Sequence, residues 1–330
     1  MNEAEGRRVL VAAGRRLLDE GLVARTWGNL SVRLDEDSML VTPSGIEYPD
    51  LTDEMIVRVD LASDEWSGPF RPSGERKVHR EVYRRRPDVR AVVHTHQVAA
   101  SICAAARVSV PASFGEVPCA PYALPGTKKL TNATVDALGE RPAALMANHG
   151  VLAVGETLEE TFDLVEQLER ECAAHVVAVR PREGAHLPAP ADAPWDPACL
   201  VPAPLPDGTE AWLSTAPFTE RFSVLRRSLP PVLDDLAQLT GRHVATIRST
   251  PTRRPRADAV LVPGRGALVL GPDHEAVAMV VEKAARAWIA GAGLGGARPL
   301  PTWEALLMRA VYVRSYAKQA AAGHAGGTLA

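Results

Sequence analysis

The chain has 330 residues, 46% hydrophobic and 23% charged, with a formal net charge of −3. This apolar content excludes a disordered chain, and the small net charge argues against a nucleic-acid binder that works by phosphate attraction. No apolar run approaches the ~20 residues of a membrane-spanning helix, and the length predicts about two domains.

In chain order, residues 3–19 read as an amphipathic helix with Val9, Leu10, Ala13, Leu17 and Leu18 on one side and Gly21 as its stop. The loop TWGN (26–29) leads into three short β-like runs, LSVRL, MLVTP and IVRVD, separated by turn residues. PSGERKVHREVYRR (72–85) predicts a helix with Ser73 as its N-cap. AVVHTH (91–96) reads as a strand followed by an Ala-rich helix, and GTKKLTNATVDALGE (126–140) as another helix. ALMANHGVLAVG (144–155) reads as strand–turn–strand, and 157–180 as a long periodic helix.

The composition then shifts to a Pro-rich stretch, 181–208, read as a linker. Beyond it come two helical stretches within 218–239, strands near 243–248 and 258–270, a helix at 273–289 and a last helix at 302–320. The expected division is a first domain over 1–180, the linker, and a smaller second domain over 209–330. Both mix strands and helices, so the class is α/β or α+β.

One segment recurs. ALMANHGVLAVGETLEETFDLVEQ (144–167) resembles AVLVPGRGALVLGPDHEAVAMVVEK (259–283) at an offset of 116 positions. Gly150 aligns with Gly266, Gly155 with Gly271 and Glu166 with Glu282, while His149 meets Arg265. The pattern suits either a duplicated unit or two independent examples of a common arrangement.

Chemistry concentrates in the first half. His94 and His96 lie two apart at the end of an apolar strand and so project to one side. Two imidazoles on one face suit a transition metal, although they are also compatible with two ordinary strand-end histidines. His149, in a tight turn before Gly150, is either a third ligand or a turn histidine bonded to backbone. Glu75 is either a fourth ligand, a general base beside the metal, or an acid favoured at a helix start. His79, one helical turn from Glu75, reads as structural. Thr26, Gly28 and Asn29, Ser44 and Gly45, and Ser73 and Gly74 occupy three turns whose N–H groups could converge on an anion. The N-terminal residues lack a secretory apolar segment. Cys103, Cys119, Cys172 and Cys199 stand far apart without a CxxC pair, as free thiols in a reducing cytoplasm do.

Together, GNLSVR (28–33), LVTPSGIEY (40–48), PSGERKVH (72–79), AVVHTH (91–96), PCAPYALPGT (118–127) and NHG with VLAVGETLEET (148–161) resemble the class II aldolase/adducin family across roughly residues 4–180. The resemblance is to zinc enzymes of the fuculose-phosphate aldolase type. It implies a three-layer α/β/α fold, with a central, mainly antiparallel sheet flanked by helices. It implies one Zn²⁺, or another divalent metal, per chain, held by His94, His96, His149 and Glu75, with Glu75 also moving a proton. It places the substrate's phosphate at the turns of Asn29, Ser44/Gly45 and Ser73/Gly74. The implied reaction is cleavage or formation of a C–C bond in a ketose-like substrate, phosphorylated or not, through a metal-stabilised enediolate.

The same site in relatives supports epimerisation, dehydration or decarboxylation, and the adducin branch uses the domain for assembly alone. Lys77, Lys128 and Lys129 sit in exposed-looking helical segments, which makes a Schiff-base route less attractive. The expected partners are a small carbohydrate-like substrate and further copies of the chain, either a dimer forming a pseudo-four-fold ring or a tetramer, with neither nucleic acid nor membrane.

Three departures stand out. Gly74 replaces a serine of the family's phosphate turn. The loop 109–117 is short and lacks a tyrosine. The family's C-terminal tyrosine has only Tyr312 and Tyr316 as candidates by position. The proton donor is therefore open, with Glu116 and Tyr122 nearest the changed loop. The second half resembles a truncated copy of the domain without a metal site.

Overall fold

The computed structural model describes residues 2–23, 26–179 and 187–316. The first helix, α1 (Glu3–Asp19), starts where the Asn2 side chain accepts the Glu5 N–H, and it buries Leu10 and Leu17. Strands β1 (Asn29–Arg33), β2 (Ser38–Val41) and β3 (Val57–Asp60) form an antiparallel meander. Then follow α2 (Arg76–Arg85), β4 (Ala91–Thr95), α3 (Val98–Ala106), the hairpin β5 (Val110–Ala112) and β6 (Gly115–Val117), β7 (Cys119–Ala120) and α4 (Lys128–Leu138). The unit closes with β8 (Ala143–Met146), β9 (Gly150–Gly155) and α5 (Leu158–Ala178).

The seven-stranded sheet runs β3-β2-β1-β4-β9-β8-β7, antiparallel throughout except for the parallel pair β7–β8. Its central strands are buried on both faces. Val93, Val151 and Ala153 pack toward α1, α3 and α5, while Val92, Leu152 and Val154 pack toward α2 and α4. That alternation produces the expected three layers.

The second unit comprises β10 (Leu200–Pro202), β11 (Ala211–Ser214), α6 (Pro217–Ser223), α7 (Asp234–Thr240), β12 (Ala245–Thr246), β13 (Ala259–Val262), β14 (Gly266–Leu270), α8 (His274–Ala290) and α9 (Thr302–Val311). Its sheet runs β10-β11-β14-β13-β12, again antiparallel except for one parallel pair, β12–β13. This matches β1-β4-β9-β8-β7 in order, direction and chain sequence. An offset of 116 carries β8 onto β13 and β9 onto β14.

Gly150 and Gly266 occupy the same crowded point. A Cβ on Gly150 would lie 2.2 Å from the Thr95 carbonyl oxygen, and one on Gly266 1.9 Å from that of Ser214. The inner face of the second sheet joins the core of the first unit through α3, α6 and α8. Its outer face carries only a small cluster around Val260, Val262, Leu268 and Leu270.

Some expectations need correction. Helix α2 begins at Arg76, not after a Ser73 cap. The Ser73 N–H donates to Thr42 O beside a Pro43–Pro72 bridge and its hydroxyl accepts the Glu75 N–H, but the chain turns through Gly74 and Glu75 before the helix begins. The aligned pair Glu166 and Glu282 do not share a role. Glu282 accepts the N–H groups of Phe218 and Thr219 at the start of α6, and the residue doing this for α3, at Ala99 and Ala100, is Glu169. Glu166 instead pairs with Arg16. Strand β10 lies inside the stretch read as linker, whose residues 181–186 lie outside the described ones. The last helix ends at Val311, followed by a π turn over Tyr312–Tyr316; residues 317–320 again lie outside the described ones.

Candidate metal centre

The site lies where β4 ends beside the β8–β9 turn. The register pairs Thr95 with Val151 and Asn29 with His94, which sets the strand ends side by side. His94 is the penultimate residue of β4, and His96 follows just past its end, on the same side. His149 is held in the turn by Asn148, whose φ of 61° is a left-handed conformation that Asn tolerates well. Gly150 lets the turn close against β4, since a Cβ there would also press on the rings of His94 and His96.

The three imidazoles converge. His94 Nε2 lies 3.0 Å from His96 Nε2 and 3.1 Å from His149 Nε2. Glu75 brings Oε2 to 3.0 Å from His94 Nε2 and Oε1 to 3.0 Å from His149 Nε2. All three rings are buried, and they form the one metal-capable grouping found among the described residues.

The opposite ring nitrogens are each engaged by an acceptor. His94 Nδ1 donates to Val151 O, His96 Nδ1 to Asp235 Oδ1 and His149 Nδ1 to Asp234 Oδ2, all at 2.7 Å. With Nδ1 carrying the hydrogen, each neutral ring points an Nε2 lone pair at the same spot. Three lone pairs and a carboxylate facing each other repel unless a cation lies between them. The donor set therefore fits a divalent metal, three nitrogens and one oxygen being common ligands of such ions.

The electrostatics agree. Burial pushes the Glu75 carboxyl up, but His149 and His94 outweigh it and hold it well below the ordinary range. Burial pulls His149 down, yet Glu75 and Asp234 outweigh it and raise it well above the ordinary value. Burial brings His96 down to about 4 against the pull of Asp235, and takes Asp234 up to about 6.

Above the ligands opens a cleft of about 420 Å³. Thr26, Gly28, Asn29, Ser44, Gly45, Ser73 and Gly74 all line it. Two of the turns are stitched together, Ser44 N to Arg71 O at 2.8 Å and Ser73 N to Thr42 O at 3.0 Å. Asn29 donates to Glu75 Oε2 at 3.1 Å, which fixes the carboxylate. Arg71 and Lys77 add positive charge to the exposed rim.

His79 lies outside the cluster. Its Nδ1 bonds to the Ser31 hydroxyl, and burial lowers it to about 3. The structure does not bring Glu116 into the cleft; it is exposed on the β5–β6 hairpin. Tyr122 also stands off the cleft wall, packed beside Leu300, Ala305 and Met308, and burial raises its hydroxyl far above the ordinary range.

The wall opposite the turns comes from the second unit, through Gln238, Leu307, Met308, Val311 and Tyr312. Sequence reasoning left these unassigned except Tyr312, and it missed Asp234 and Asp235 altogether. Their signal was two adjacent acids inside the apolar run LPPVLDDLAQL, where a charge needs a buried partner.

The comparisons converge on the same reading. The model of the class II aldolase and adducin N-terminal domain matches residues 8–176, half the chain. A 5-deoxy-D-ribulose 1-phosphate aldolase of Bacillus thuringiensis is 34% identical over 171 residues, covering 49% of this chain and 80% of its own. The L-fuculose phosphate aldolase of Escherichia coli K12 is 38% identical over 157 residues, covering 45% and 72%. A solved L-fuculose 1-phosphate aldolase superposes with a TM-score of 0.52 at 33% identity, over 56% of this chain and 91% of that one. With half its length under the family model and relatives above 30% identity that it covers to more than two thirds, this chain belongs to the class II aldolase and adducin family.

Proposed function

We propose that the chain is a zinc-dependent class II aldolase that cleaves or forms a C–C bond in a ketose-like sugar phosphate. The observation that carries this reading is the convergence of three imidazole lone pairs and the Glu75 carboxylate at the floor of the cleft. His94, His96, His149 and Glu75 would hold the ion. Such an ion supplies Lewis acidity to the carbonyl and neighbouring hydroxyl oxygens of a substrate.

The chain's own groups do the rest. The carboxylate of Glu75 reaches into the cleft and can take or return a proton at the reacting carbon. Asn29 limits its rotation through the bond to Oε2. The hydroxyls and N–H groups of the turns at Thr26–Asn29, Ser44/Gly45 and Ser73/Gly74 suit a phosphate, with Arg71 and Lys77 drawing it toward the rim. Gly74 offers one hydroxyl fewer than the family's turn, so this phosphate contact leans on backbone N–H groups. Tyr312 lines the cleft from the second unit and is the phenol we assign to protonating a departing carbonyl oxygen.

In this reading residues 1–180 catalyse and 209–330 support. The chain works in the cytoplasm, in keeping with its four free thiols. Two such chains would set four units around a ring, so a dimeric mass in solution supports that assembly and a stable monomer removes it.

The decisive test is elemental analysis of freshly purified protein beside a His94→Ala/His96→Ala control, followed by a screen of sugar 1-phosphates for retro-aldol products. One zinc per chain, lost in the control together with activity, supports the proposal. A wild type that takes up no metal on zinc addition sinks it.

A further inference from the structure

Among the described residues the second unit forms no metal-capable cluster of its own, yet it reaches the ligands of the first. Asp234 and Asp235 head α7 and are almost wholly buried, with exposures of 0% and 1%. Asp234 Oδ2 accepts from His149 Nδ1, and its other oxygen has no partner among the described residues. Asp235 divides its oxygens, Oδ1 to His96 Nδ1 at 2.7 Å and Oδ2 to Lys283 Nζ at 2.8 Å. Lys283, on α8, also donates to the His96 carbonyl. The Asp234 N–H closes the contact by donating to Asn148 O at 2.8 Å, in the ligand turn itself.

Burying two adjacent carboxylates carries a large desolvation cost before compensation. A purely structural junction would be served as well by apolar side chains of the same size. These carboxylates instead meet two of the three ligand imidazoles at the nitrogens that face away from the cleft. His94, whose acceptor is the Val151 carbonyl of the first unit, needs none. The charges also balance. Glu75, Asp234 and Asp235 bring three negative charges, Lys283 returns one positive, and a dication cancels the remaining two.

We propose that Asp234 and Asp235 are positioning residues through which the second unit sets the tautomer, orientation and basicity of His149 and His96, and thereby the strength of metal binding. The inference rests on the metal reading above. It assigns the metal-less unit a definite chemical task, that of an acceptor platform built in the same chain. Carboxylates bonded to the far nitrogen of a ligand histidine typically contribute 10- to 100-fold in affinity.

The test measures Zn²⁺ affinity of the full chain against a chromophoric chelator, and the visible spectrum of the Co²⁺-loaded protein. Asp235→Asn and Asp234→Asn are expected to weaken zinc binding about 10- to 100-fold each and to shift the Co²⁺ bands. Glu282→Gln is the control, since it removes a buried carboxylate of the same unit that touches no ligand. It should lower the Tm yet leave the zinc Kd within about twofold. Should an Asn variant not fold, Asp235→Glu and Asp234→Glu, which keep the charge and displace the oxygen, replace it with the same expectation. Unchanged Kd and spectrum in the folded Asp variants overturn the proposal, as does an equal loss in Glu282→Gln. A wild type that binds no metal is a different failure, because it removes the metal reading first.

Discussion

The two units share a strand order but not a chemistry, and the register shows where they part. His94 lies opposite Leu152, and Leu213 opposite Leu268, positions related by the 116-residue offset. The ligand positions His94 and His96 thus correspond to Leu213 and Thr215, and His149 to Arg265. The stretch that brings Glu75, α2 and two extra strands into the first unit has no counterpart, since β11 follows β10 after only a short turn. What persists is what the backbone requires: the Gly at the turn, the parallel edge pair, and a buried carboxylate capping the helix after the second strand. The fold can therefore lose every ligand and keep its architecture, because the ligands sit at strand ends and turns and contribute little to the core.

The largest test of that separation is steric. Gly150→Ala and Gly266→Ala both drive a Cβ against a neighbouring carbonyl oxygen. Each is expected to cost more than about 4 kcal/mol in urea unfolding, or to prevent folding. Gly266→Ala is expected to cost more than Gly150→Ala, because Gly266 also holds a φ of 114° that alanine disfavours, while only Gly150→Ala also lowers zinc occupancy in whatever fraction folds.

A smaller effect probes the caps. Glu169→Gln and Glu282→Gln each weaken charge-assisted bonds to two helix-start N–H groups, and each should cost about 1–3 kcal/mol. Glu166→Gln, the residue the sequence alignment favours, should stay within about 0.5 kcal/mol because its partners are the solvent-accessible Arg16 and Arg170. A large loss from Glu166→Gln and none from Glu169→Gln would restore the alignment and break the structural pairing.

The smallest expected effect is at Arg265, exposed where the first unit has its third histidine. Arg265→Ala should change stability by less than about 0.5 kcal/mol and leave the zinc Kd unaltered. A measurable loss of metal would mean that the second unit's turn matters to the site after all.

Much of this was legible in the sequence. Period-two alternation and the HxH spacing placed His94 and His96 on one face of β4, and the apolar runs on either side of Asn148–Gly150 gave the β8–β9 turn. The three turns that line the cleft were recognisable as turns from their Gly, Asn and small hydroxyl residues. The structure adds that the TPSG and PSGE turns are bridged to each other. What stayed hidden depends on long-range placement. Asp234 and Asp235 look like a helix start until α7 is seen against the β8–β9 turn. Tyr312 became a wall of the cleft only because α9 folds back across it. Ser73 misled because a good capping residue followed by a helical pattern gives no hint that the chain first turns through Gly74 and Glu75.

The core has a further consequence. Helix α3 packs against α5 of its own unit and α8 of the other, and buried side chains run without a break from Leu10 through Ile102 to Phe218 and Val281. Neither half can open without exposing apolar surface of the other. On heating, the calorimetric enthalpy should therefore equal the van't Hoff enthalpy, with one endotherm for the whole chain, unusual cooperativity for a protein of this length. Two units that look separable on a topology diagram are, thermodynamically, a single object.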